Sequence, residues 1–181
     1  TNRTKVVGVG LTLKSSVDRE VLGISPEAAK EWQRRTEAEF SLWAKNKANC
    51  DATGMNNFYG MQQLALVAWL QSGDVFPVFK RRNPTPVNPY SLRIHLVEAD
   101  RVRTPAEYGG GTAVAHITDG KNPSNGNRIF DGVEVDNDGM VVAYYVHNTY
   151  PWQTTTEPTK WTRVEAYGPR TGLPNILHIM G

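Results

Sequence analysis

The apolar residues of this chain change their spacing at Gly73, and that change decides which class of fold is open to it. Before Gly73 they recur at helical steps. From Glu27 to about Lys47, the residues Ala29, Trp32, Thr36, Phe40 and Trp43 share one helical face, while Lys30, Glu31, Arg34, Arg35, Glu37 and Glu39 mostly take the other sides. Ser25-Pro26 is a start signal, because serine caps free amides and proline at the first helical position loses no hydrogen bond. Cys50 to Gly54 reads as a turn. A second helix is expected from about Asn57 to Ser72, with Phe58, Met61, Leu64, Ala65, Ala68 and Trp69 on its main stripe. Leu66, Val67 and Leu70 widen that stripe, which predicts a helix covered on more than one side. Gly73 ends it.

After Gly73 the pattern belongs to strands. Val75–Phe79 and Leu92–Val97 are two, and Pro77 suggests that the first lies at an edge. The prolines between Arg81 and Tyr90 forbid regular pairing there. Thr104 to Gly126, with its glycine runs, reads as long loop. Ile129–Val135 and Met140–Val146 flank Asp136-Asn-Asp-Gly139, a strong hairpin signal. Thr149–Lys160 is a Thr/Pro-rich loop, and short strands are expected at Trp161–Tyr167 and Ile176–Met180. Lys5 to Leu13 reads as a short strand broken by glycines. Helices followed by strands predict an α+β fold of two packed helices against a mostly antiparallel sheet, with residues 1–181 as one domain.

Composition narrows the function more than the fold. Lys and Arg total 20 against 18 Asp and Glu, a net charge of +2. Bulk electrostatics therefore does not predict a nucleic-acid binder, and any such contact needs a local patch. The longest apolar run, Leu64 to Leu70, falls far short of the roughly 20 residues of a membrane span, and no leader pattern opens the chain. Cys50 is the sole cysteine, which excludes an internal disulfide and favours a reducing, intracellular setting.

Signs of catalysis are thin. Gly8-Val-Gly10 lacks the third glycine of a dinucleotide fingerprint, because Leu13 stands there. Glu134, Asp136, Asp138 and Gly139 imitate a calcium loop, but its last ligand position is Tyr145 and the flanks are strands. His95, His116, His147 and His178 show no metal-ligand spacing. No cofactor or metal is expected. Two alternatives stay open: a hydrolase using Cys50 with a distant histidine such as His95, and a peptide- or carbohydrate-binding module using Trp152 and Trp161. Basic residues gather at Lys80, Arg81, Arg82, Arg93, Arg101 and Arg103. These form either a solvated strand edge and loop or a patch facing DNA or a neighbouring subunit.

The order of the local signals resembles a known family. Val7-Gly-Val-Gly10 is followed by Trp43-Ala44, Cys50-Asp51 and Phe58-Tyr-Gly-Met-Gln-Gln-Leu64. Then come Ser72-Gly-Asp-Val-Phe76, Leu96-Val-Glu-Ala-Asp-Arg-Val102, and Asp131 to Gly139 with Val142-Ala-Tyr-Tyr145. Gly172-Leu-Pro-Asn-Ile-Leu-His178 closes the series. Together, over nearly the whole chain, they resemble the portal proteins of lambda-type tailed phages and prophages.

The resemblance implies a structural protein and not an enzyme. It would be part of a dodecameric ring at one capsid vertex that conducts double-stranded DNA without sequence preference during genome packaging. The implied partners are other portal subunits and, through the full-length protein, terminase and head-tail connector proteins, with no membrane. The implied location is the virion portal vertex, with assembly in the bacterial cytoplasm. This stretch would match the wing-like body, with stem, clip and crown elsewhere in the larger subunit. The Thr104–Gly126 loop and Thr154-Thr-Thr156 depart from the family's pattern.

Overall fold

The computed structural model describes residues 5–109, 119–154, 156 and 159–181. His116 and the central part of the Thr104–Gly126 loop lie outside them. The elements are α1 (Arg19–Leu22), α2 (Pro26–Lys45), α3 (Lys47–Cys50), α4 (Phe58–Ser72), β1 (Asp74–Arg81), β2 (Leu92–Glu98), β3 (Asp119–Lys121), β4 (Arg128–Phe130), β5 (Val133–Val135), β6 (Val141–His147), β7 (Trp161–Glu165) and β8 (Ile179–Met180). Helices and antiparallel strands make this an α+β fold. The strands form two sheets, in the orders β2-β1-β8 and β3-β4-β5-β6-β7. The chain divides into two compact units, residues 1–67 with 80–95, and residues 68–79 with 96–181.

The first unit is built on helices. Ser25 Oγ accepts from the Ala28 amide at 3.2 Å and starts α2, with Pro26 in the first turn. Near its other end, Phe40 and Trp43 meet Phe58 of α4 with ring centroids 5.5 and 5.2 Å away. The indole N–H of Trp43 donates to the Leu92 carbonyl at 3.0 Å, tying the aromatic cluster to the start of β2. Helical spacing thus placed Phe40 and Trp43 correctly, but Trp32 is 55% exposed. In α4 only Met61 is buried, and Leu64 and Leu70 are exposed, so the expected cover on several sides is not there.

Residues 5–13 form no strand. Lys5 and Val6 are helical, and a turn closes with the Gly10 amide on the Val7 carbonyl at 2.9 Å. Gly8 and Gly10 both have positive φ, which a strand does not accommodate.

In the second unit, Phe76, Val78, Val97, Val102, Tyr144, Ala166 and Ile176 form the core cluster. The expectation for Pro77 fails here, because β1 lies between β2 and β8. Val75 pairs with Ile179 and Val78 with Ile176 in one continuous register, which sets Pro77 opposite Leu177. The Leu177 amide donates to the Pro77 carbonyl at 3.0 Å, but proline has no N–H to return. The pairing is interrupted at that rung. The expected strand from Ile176 to Met180 therefore appears as a bridge at Ile176 and the short β8.

The Asp136–Gly139 hairpin forms as expected. Asp136 Oδ1 accepts the Asp138 and Met140 amides at 3.0 and 2.9 Å. Ile129–Val135, read as one run, is two strands. Asp131 and Gly132, with φ of 46° and 83°, make a two-residue turn that pairs Phe130 with Val133. The strand β3 was missed within the predicted loop, since Asp119-Gly-Lys121 has no apolar residue to mark it.

Candidate functional site

Among the described residues, the most connected charged group is Glu134. It sits in the middle of β5, opposite Ile129 of β4 and Ala143 of β6, and all three are fully buried. Strand alternation turns Val133 and Val135 to one face and Glu134 to the other. A bare carboxylate there would be costly. Instead Arg163 of β7 donates from Nε to Oε2 at 2.7 Å and from Nη2 to Oε1 at 3.1 Å. The Tyr145 hydroxyl adds a bond at 2.8 Å. Side-chain amides of Asn122, Asn125 and Asn127 add three more, at 3.2, 2.7 and 2.9 Å.

Burial raises the pKa of Glu134, but these donors, Arg163 first, outweigh it and hold the carboxyl at about 2. Burial and the bond to Glu134 push the Tyr145 phenol up. The carboxylate stays ionised, and each of its oxygens is engaged by at least two donors. It fastens the 122–127 turn to β5, β6 and β7 and has no free lone pair to offer a substrate. Only a weak signal marks it in the sequence, a single acid between two valines. Its partners lie up to 29 residues away.

In the first unit, Asp51 plays a similar part. Its carboxylate accepts from the amides of Thr53, Met55 and Asn56 at 2.8, 3.0 and 2.9 Å and from the Thr53 hydroxyl at 2.9 Å. Burial opposes its charge, but the bonds from Thr53 and Asn56 win and lower its pKa. The neighbouring Ala52 amide donates to the Ile94 carbonyl at 2.9 Å. Cys50, fully buried, points its thiol at the Asn46 carbonyl 3.3 Å away, and burial pushes its pKa up. A protonated thiol sealed from solvent is a packing group, and it gives the hydrolase alternative no accessible nucleophile.

The six basic residues are divided between the two units. Lys80, Arg81, Arg82 and Arg93 belong to the first unit, Arg101 and Arg103 to the second. Lys80, Arg81 and Arg82 are exposed, and Arg93 is buried. Arg101 Nε donates to the His147 carbonyl at 2.9 Å, and Arg103 Nη1 to the carbonyls of Asp100 and Thr149 at 3.1 and 2.9 Å. These two arginines tie backbone segments together.

Of the histidines, His178 reaches Asp74 at 3.1 Å and stacks on Phe76 with centroids 4.4 Å apart. His147 is buried, and its Nε2 faces the Arg103 carbonyl at 3.0 Å. That contact requires Nε2–H as donor and leaves Nδ1, which has no partner among the described residues, unprotonated. Burial and then the charge of Arg103 push its pKa down to about 4. Among the described residues, no three His, Cys, Asp or Glu side chains gather as a metal site, and no helix is long and apolar enough to cross a membrane. Trp161 packs between Tyr108 and Tyr145 as an anchor, whereas Trp152 is 67% exposed and stacks on Tyr150.

Comparison with known proteins agrees with a scaffold. The family described as phage portal protein, lambda family, matches residues 1–181. A protein of Halomonas phage phiHAP-1, named probable portal protein, is 27% identical over 159 residues, which is 87% of this chain and 27% of that protein. The chain thus spans about a quarter of that relative's length.

Proposed function

The chain belongs to the lambda family of phage portal proteins, and from that premise we propose that it is the α+β body of a ring-forming subunit at a capsid vertex. Residues 1–181 serve this role as one domain of a longer subunit. The ring, a dodecamer in this reading, conducts double-stranded DNA non-specifically during packaging. Its other partners are terminase and the head-tail connector proteins, reached through the full-length protein. It is assembled in the bacterial cytoplasm and resides in the virion.

The observation that carries this reading is the family match along the whole chain. The character of the motif residues supports it. Cys50, Asp51 and Trp43 fasten the helical unit, and Glu134, Tyr145, Asp74 and His178 fasten the sheet unit. Such groups hold shape and perform no chemistry, as a channel wall requires. Of the six basic residues, Lys80, Arg81 and Arg82 are the exposed ones, placed to face DNA or a neighbouring subunit directly.

Electron microscopy of the full-length subunit tests the proposal. Closed rings with an axial channel, retaining linear DNA at low salt and releasing it at high salt, are expected. A subunit that remains monomeric at every concentration overturns it.

A further inference from the structure

Arg93 is a cation that the fold covers, and the described residues supply it no counter-charge. It has 4% of its surface exposed. Its Nη1 donates to the Tyr90 carbonyl at 2.7 Å and to the Leu92 carbonyl at 2.9 Å. Among the described residues no carboxylate pairs with it. Nε and Nη2 make no hydrogen bond there. That edge of a guanidinium presents two parallel N–H groups, the geometry that takes two oxygens of one ligand.

Among the described residues, the charge that acts most on Arg93 is a second cation. Burial first, and then Arg82, lower its pKa, and the nearby Cys50 thiol is neutral. The Arg82 amide donates to the Ser91 carbonyl at 2.9 Å, which sets Arg82 across from Ser91. Arg93 follows Ser91 by two residues, so both arginines project to the same side of the paired backbone. Arg82 Nη2 donates to the Ala52 carbonyl at 2.9 Å, and Arg82 also lacks an ion pair among the described residues. The carboxylate of Asp51 is occupied by its own turn. Two neighbouring guanidinium groups, one of them covered, repel each other unless an anion joins them.

We propose that Arg93 and Arg82 form a phosphate-binding site, in which the Nε–Nη2 edge of Arg93 takes two oxygens and Arg82 closes from the exposed side. A free phosphate and a phosphodiester of the DNA backbone present the same oxygens. Only the second source rests on the portal reading.

Thermal unfolding of this chain in sodium phosphate, against sodium chloride at equal ionic strength, tests the site. Phosphate stabilises proteins weakly by exclusion from their surfaces, so saturation and loss in variants are the readout. The wild type should show a saturable rise in Tm. Arg82→Gln, at an exposed position, should raise the half-saturating phosphate concentration roughly tenfold, the equivalent of one charge-assisted hydrogen bond. Arg93→Lys keeps the charge but not the fork and should abolish saturation. If that variant does not fold, Arg82→Gln decides. An unsaturable response, or one unchanged in Arg82→Gln, overturns the site. Fluorescence anisotropy with a short duplex then separates the sources. Competition between phosphate and the duplex, with weaker binding by Arg82→Gln, supports the DNA backbone. A duplex that does not bind, beside an intact phosphate response, assigns the site to free phosphate and counts against DNA contact by this face.

Discussion

Arg163 meets Glu134 edge-on, with Nε 2.7 Å from Oε2 and Nη2 3.1 Å from Oε1, so that two strands not adjacent in the sheet share one buried ion pair. The carboxylate has no exposed surface, and the side chain of Arg163 retains 29% of its own. Neutralising the acid strands the arginine and three asparagine amides together. Glu134→Ala should therefore destabilise the chain by about 3–5 kcal/mol, the range for breaking a buried pair. Denaturant unfolding measures it, and a cycle with Tyr145→Phe should show non-additivity, because both residues belong to one network. Additive losses would contradict the network.

Acid should weaken the fold in two windows. His147 is held at about 4, below its usual 6.5, so the unfolded chain binds more protons between these values. Its contribution is present above about pH 6.5 and is lost as pH falls toward 4. Glu134, lowered to about 2 from 4.5, contributes stability that is lost as pH falls through that lower interval. Each shift corresponds to at most about 3–4 kcal/mol. Stability measured from pH 7 to 2 should fall in both ranges. His147→Gln should flatten the upper one and leave the lower unchanged.

Gly132 and Gly139 have nearly the same φ, 83° and 85°, but different surroundings. A Cβ at Gly132 would lie 2.5–2.8 Å from backbone atoms of Arg103, and one at Gly139 would meet nothing within 4 Å. Gly139→Ala should cost about 1 kcal/mol, the left-handed penalty alone. Gly132→Ala should cost well beyond that, about 3 kcal/mol or more, because backbone must move as well. Equal losses in urea titrations would show that the close approach to Arg103 is unimportant.

Restoring an amide at Pro77 should complete the interrupted rung with Leu177. In Pro77→Ala the new N–H faces the Leu177 carbonyl, and it should be protected from hydrogen exchange together with the neighbouring amides of β1. Rapid exchange at position 77 would mean that the register is not continuous through that rung.

Much of the architecture was legible in the sequence, for reasons that are local. Ser25-Pro26 capped α2, Gly73 ended α4, and Asp136 with Gly139 turned the β5–β6 hairpin, because each of these signals acts on its own backbone within a few residues. Short elements were harder to read. Asp131-Gly132 is a two-residue turn inside an apolar run, and β3 is a strand without an apolar residue, so periodicity could mark neither.

Sequence by itself determined the α+β class, the two main helices, the principal hairpin and, through the order of its motifs, the resemblance to portal proteins. Only the tertiary structure decided what the charged residues do. Glu134 and Arg163 are 29 residues apart and become one ion pair because β6 brings β5 and β7 to its two sides. Lys80, Arg81, Arg82, Arg93, Arg101 and Arg103 look alike in sequence. Burial and the carbonyls within reach make Arg101 and Arg103 backbone ties, cover Arg93, and leave the first three exposed. Periodicity records which side of an element is apolar, whereas the partner of a charge depends on which strand lies beside it, and pairing between distant segments sets that.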